Sequence, residues 1–108
     1  MTAGERMRGY LGLAARAGKV ESGEFSTEKA VKSGRAHLVV IADDASENTK
    51  KKFMNMCEYY EVPCFVFADR ETLGHTIGRQ FRASLAVTDI KLAKELLVLE
   101  KQENQKQG

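Results

Sequence analysis

Residues 22 to 35 read SGEFSTEKAVKSGR, in which Gly23 opens a short charged helix and Gly34 closes it. A glycine at a helix entrance lets another backbone come close. The first helical N–H groups, with the helix dipole behind them, then form a site for a phosphate or a base-edge acceptor. Lys29 and Lys32, one and two turns on, would extend that site along a groove. The same spacing also describes an ordinary helix with a solvated face.

The strand ends offer a different chemistry. Asp43 and Asp44 lie where one apolar run stops, Asp69 follows a second and Asp89 a third, and carboxylates gathered at strand ends can hold Mg²⁺. An Asp at a strand-to-helix junction is also the simplest turn or cap, and no lysine or serine stands where it would complete a phosphoryl-transfer site. His37 and His75 have no Cys or carboxylate at ligand or triad spacing. GHTIG, residues 74 to 78, lacks the spacing of a phosphate-binding glycine loop and does not directly follow a strand. No catalytic residue, metal site or cofactor is therefore expected. Among the aromatics, Phe53, Phe65 and Phe67 fall at core spacing, and only Phe25 and Phe81 lie at loop edges where a ring can stack on a base.

These side chains need elements to position them. Met7, Tyr10, Leu11, Leu13, Ala14 and Ala17 recur at helical spacing and Gly18 stops them. Lys19 to Ser22 allow only a short strand. Ala30 and Val31, with Phe25 or Thr27 a turn earlier, define a second helix. HLVVIA is a continuous β-branched run, as in a strand buried on both faces. Ser46 caps a helix whose inner stripe is Phe53, Met54, Met56, Cys57 and Tyr60, ending before Val62 and Pro63. CFVFA reads as a second buried strand, residues 70 to 78 as a short helix and SLAVT as a further strand. Asp89 opens a last helix carrying Ile90, Ala93, Leu96, Leu97 and Leu99. Helices alternating with short apolar strands give an α/β fold, one small mixed sheet between helical layers. Residues 1–103 are expected to form a single domain and residues 104–108 a frayed polar tail.

A chain of 108 residues suits one domain. Its composition contains no run of about eighteen apolar residues, which argues against a membrane role. Arg8, Gly9 and Gly12 interrupt the apolar positions near the N-terminus, so no export signal is indicated. Cys57 and Cys64 sit among apolar neighbours and read as reduced core thiols, which fits the cytoplasm. The net charge is only +2, but residues 1–35 carry seven Lys and Arg against four Glu. That local excess is a pointer toward phosphate.

The order SGEFSTEKAVKSGRAHLVVIADDAS, then VPCFVFADRETLGHTIGR, then ASLAVTD resembles the kink-turn-binding family of large-subunit ribosomal proteins, most closely its small bacterial branch. The likeness runs from LGLAARAGKVESG to the last helix. It implies a three-layer α/β/α sandwich with a small mixed four-stranded sheet whose last strand is antiparallel to its neighbours. That topology would bring the loop Arg79-Gln80-Phe81-Arg82 beside the Gly23 entrance. It further implies a cytoplasmic, non-enzymatic protein bound to structured RNA, ribosomal RNA being one candidate. A monomer is expected.

In that family the segment opening the second helix reads Gly, a small residue, Asn, Glu, two further residues, then Lys, and docks in a kinked RNA beside tandem sheared G·A pairs. Carried over, Gly23 matches the glycine and Lys29 the basic residue, with Glu24 standing at the position between Gly23 and Phe25. Phe25 and Ser26 stand where Asn and Glu would be. The resemblance thus implies that phosphate contacts from Gly23, Lys29 and Lys32 are kept while guanine reading is relaxed. In the loop it implies that Phe81 stacks on a flipped-out nucleotide, with Arg79, Gln80 and Arg82 beside it. A protein–protein interaction module on the same fold, without RNA binding, is the alternative that the missing Asn-Glu pair favours.

Overall fold

The first helix, α1 (Ala3–Arg16), starts at a capping box. Thr2 Oγ1 accepts from the Glu5 N–H and the Glu5 carboxylate accepts from the Thr2 N–H, each at 3.1 Å. The second of these bonds holds the Glu5 carboxyl below its ordinary range. Gly18, at φ +73, turns the chain out of the helix into β1 (Val20–Ser22). There follow α2 (Glu24–Lys32), β2 (Leu38–Ile41), α3 (Glu47–Tyr60), β3 (Cys64–Val66), α4 (Arg70–Thr76), β4 (Ser84–Val87) and α5 (Ile90–Gln107). These elements come from a computed structural model that describes residues 1–107. No helix among the described residues is long and apolar enough to cross a membrane.

The strands form one sheet in the order β1-β4-β2-β3. β4 is antiparallel to both β1 and β2, and β2 is parallel to β3. The last strand in sequence therefore lies between the first two. Helices α1, α4 and α5 pack together over one face, while α2 and α3 cover the other, completing the three-layer α/β/α sandwich. Burial on both faces explains why β2 and β4 are apolar without alternation: Leu38, Val39, Val40, Ile41, Leu85, Ala86 and Val87 are all fully buried.

The structure corrects several details. CFVFA is not a buried strand; β3 is the sheet edge, with Phe65 buried and Val66 exposed. A short apolar run has the same composition in either place, and only the pairing order distinguishes them. In α3 the fully buried stripe is Phe53 and Cys57, one turn apart, whereas Met54 and Tyr60 are exposed. Leu13 of α1 and Ile90 of α5 also face outward, because each helix turns only one stripe to the layer beneath it. Between Phe25 and Thr27, it is Thr27 that enters the core; its hydroxyl accepts from Ser84 Oγ at 3.4 Å. Helix α5 runs as far as Gln107. Residue 108 lies outside the described residues. Cys57 and Cys64 are both free thiols, and Cys64 is pushed well up by its hydrogen bond to Cys57 and by burial.

Helices α2 and α3 are joined at the surface by charge. Lys52 Nζ reaches Glu28 at 2.7 Å and Glu24 at 3.4 Å, and Lys32 Nζ reaches Glu28 at 2.8 Å. The hydrogen bonds from Lys32 and Lys52 lower the Glu28 carboxyl from 4.5 to about 2. A depressed carboxyl contributes stability that is complete above its unfolded value and lost as pH falls through its folded one. The window here runs from 4.5 down to about 2. Glu28→Gln is expected to flatten this part of the acid-unfolding curve followed by circular dichroism. The difference should shrink with added salt, because these side chains are solvated.

Candidate nucleic-acid interface

Gly23 occupies the N-cap of α2 at φ +92, a conformation that any other residue would adopt with strain. Space around it is open, with nothing within 4 Å of where a Cβ would stand. Side chains cap α1, α3, α4 and α5 through Thr2, Ser46, Asp69 and Asp89, but none caps α2. Its first-turn donors are thus left for something outside the helix. The entrance is fixed by the Gly23 N–H donating to the Ser84 carbonyl at 3.0 Å, where β1 leaves β4.

The loop Arg79 to Arg82 is clamped from two sides. Toward α4, the Arg79 N–H donates to the Gly74 carbonyl at 2.8 Å and the Arg82 N–H to that of Arg70 at 3.1 Å. Gly74 lies directly against the loop: a Cβ there would come within 2.5 Å of the Gln80 oxygen and 2.9 Å of the Phe81 nitrogen. Toward α2, Arg82 Nε donates to Ser22 Oγ at 2.9 Å while Nη1 donates to the Phe81 carbonyl at 2.7 Å. The helix entrance and the loop are thereby held side by side. Arg82 is half-buried in this clamp and spends two of its donors on the protein.

Around this junction Phe25 is 79% exposed and Phe81 61%. Arg79, Gln80 and Lys29 are exposed, Ser26 is half-buried, and Glu24 and Lys32 face solvent. Of the cations on α2, Lys32 is committed to Glu28, whereas Lys29 makes no ion pair among the described residues. Sequence reasoning missed Gly74, Ser22 and Lys52. The only signal for Gly74 is its place in the segment VPCFVFADRETLGHTIGR that carries the family resemblance; Ser22 and Lys52 carry none, since their partners are distant in the chain.

Asp44, Asp69 and Asp89 each accept from a backbone N–H in the first turn of a helix. Asp44 Oδ1 accepts from the Arg70 N–H at 2.8 Å and pairs with its Nε at 3.4 Å. Asp69 accepts from the Thr72 N–H at 2.6 Å, which holds its carboxyl below the ordinary range, and Asp89 accepts from the Leu92 N–H at 2.9 Å. Among the described residues no group of three or more His, Cys, Asp or Glu is placed to hold a metal ion.

Residues 5–97 match the model of the ribosomal protein L7Ae/L30e/S12e/Gadd45 family. The chain belongs to that family. It is 46% identical over 89 residues to the RNA-binding protein YlxQ of Bacillus subtilis, covering 82% of this chain and 89% of that one. Identity to the RNA-binding protein YlxQ of Enterococcus faecium is 39% over 97 residues, covering 88% of this chain and 93% of the relative. A solved structure of a protein of unknown function from Bacillus halodurans superimposes with a TM-score of 0.85 at 37% identity, over 88% of this chain and 96% of the other.

Gly74→Ala tests how tightly that junction is built. Alanine improves helix propensity by up to about 1 kcal/mol, but overpacking against a fixed backbone costs about 1–3 kcal/mol. A net loss of stability is expected in urea unfolding, together with displaced amide resonances for Arg79 to Arg82. Unchanged stability and unchanged resonances would mean that the loop yields freely.

Proposed function

We propose that this protein binds structured RNA of the kink-turn type, ribosomal RNA being one candidate, as a cytoplasmic monomer without catalytic activity. The observation that carries the reading is the fixed junction in which the uncapped, glycine-opened end of α2 meets the loop Arg79 to Arg82. Membership of the L7Ae/L30e/S12e/Gadd45 family supports it, as do two relatives named RNA-binding proteins.

In this reading the bare Gly23 backbone and the first N–H groups of α2 lie against the RNA backbone, and Lys29 meets a phosphate one turn further along. Phe81 stacks on an extruded nucleotide, and Arg79 supplies charge at the same edge. Gln80 and Ser26 provide polar contacts. Arg82 acts mainly by holding the loop, while Glu24 and Lys32 hold the charge pattern of the helix through their ion pairs. Because phosphate contacts position and base contacts specify, losing Asn and Glu at Phe25 and Ser26 leaves shape as the main source of selectivity. The exposed Phe25 and Phe81 also favour a second reading, an interface with another protein on the same fold.

A titration against a kink-turn RNA and a straight duplex of matched length, over a salt series, distinguishes the readings. Tighter binding of the kinked RNA at each salt concentration is expected; equal affinity throughout would reject kink recognition and leave only electrostatic attraction. Lys29→Ala should weaken both RNAs and make the slope of log K against log salt shallower by about one unit. A slope unaltered by that substitution would put Lys29 outside the interface.

A further inference from the structure

We propose that the outer face of α2 is a nucleotide subsite in which Phe25 stacks on an unpaired base and Lys29 holds the adjoining phosphate. The inference rests on the RNA-binding reading above and adds to it the class of nucleotide that Phe25 recognises. Phe25, Glu28, Lys29, Lys32 and Ser33 line a groove of about 400 Å³ running along this face. Phe25 is 79% exposed, so its ring gives nothing to the core; Thr27 fills the buried position in the same turn. The ring and Lys29 are four residues apart and hence neighbours on one helical face.

The charges in the groove leave one cation uncommitted. Glu28 is paired with both Lys32 and Lys52, at 2.8 and 2.7 Å, so its carboxylate presents little net repulsion to an anion beside it. Lys29 alone has no ion-pair partner among the described residues. A stacking ring followed one turn later by a free ammonium matches the two parts of a nucleotide, base and phosphate.

The chemistry of phenylalanine defines which base can occupy the site. Its side chain has no donor or acceptor and so cannot read the edge of a base in a G·A pair. It offers only a face, and a base must leave its neighbours to meet that face. The departure from Asn at this position therefore replaces edge reading by selection for an unpaired nucleotide. Phe81 presents a second exposed ring on the other element that meets at Gly23.

The test uses a kink-turn RNA and a set of copies in which each unpaired nucleotide in turn is abasic, titrated with the wild-type protein, Phe25→Ala and Phe25→Trp. Phe25→Ala should weaken the intact RNA by about tenfold, within the range for a lost base–aromatic stack, and Phe25→Trp should restore it. At one abasic position the wild type should lose a similar factor, and Phe25→Ala should lose nothing more. Thermal melting should be unchanged in both variants, because the ring is exposed. If the wild type prefers the kinked RNA but Phe25→Ala binds as well, or loses equally on all the abasic copies, the subsite is overturned and Phe25 is left to a protein partner. If the wild type shows no preference for the kinked RNA, the proposed function falls and this inference with it.

Discussion

The insertion of β4 between β1 and β2 is the constraint from which the interface follows. β1 and β2 are separated in sequence only by α2, yet they do not pair with each other; each pairs antiparallel with β4. The start of β4 must then lie at the same end of the sheet as the exit of β1, and that exit is Ser22 and Gly23. Burial of Leu85, Ala86 and Val87 drives the placement. Each large apolar side chain buried contributes about 1.5–3 kcal/mol, against roughly 1 kcal/mol for a hydrogen bond such as Arg82 to Ser22. The core therefore decides where the loop goes, and the polar clamp decides how little it moves once there.

That division explains how the loop is held in place without being buried. Gly74 lets α4 come within contact of the Gln80 and Phe81 backbone, and Arg82 ties the other side to β1. With the backbone held by α4 and Arg82, the Phe81 ring is free to project outward. A surface prepared in this way loses less conformational freedom on binding than a mobile loop would. The same economy holds on α2, where the Glu24–Lys52–Glu28–Lys32 network consumes most of the charge between α2 and α3. The positive potential of that face then comes from fewer side chains than a count of lysines suggests.

The differences between expectation and structure have a common origin. Periodicity points Leu13, Met54, Tyr60 and Ile90 inward, but a helix lying on a layer buries a stripe narrower than its apolar positions span. Composition points CFVFA inward, although its three-residue strand pairs on one side only. Asp69 and Asp89 behave as turn chemistry predicts, because a cap bond needs only a neighbour three residues on, whereas Asp44 reaches the start of α4 from far along the chain.

Local rules thus sufficed for the elements and for the special character of Gly23: a glycine before a charged helix, with no capping side chain, is a statement about adjacent residues. The resemblance of the ordered motifs to the family carried the sheet topology and the pairing of that entrance with residues 79 to 82. The amino-acid sequence read by physical rules could not supply those, since both depend on contacts between residues about sixty apart. Only the tertiary structure decided that Thr27 turns inward and Phe25 outward, that Arg82 is a clamp, and that Lys52 of α3 reaches Glu24 and Glu28 on α2. The physical reason is that charge and exposure at a surface are set by neighbours brought from other elements. Lys52 and Ser22 are distant along the chain from the groups they bind, and nothing in their local sequence announces the partner.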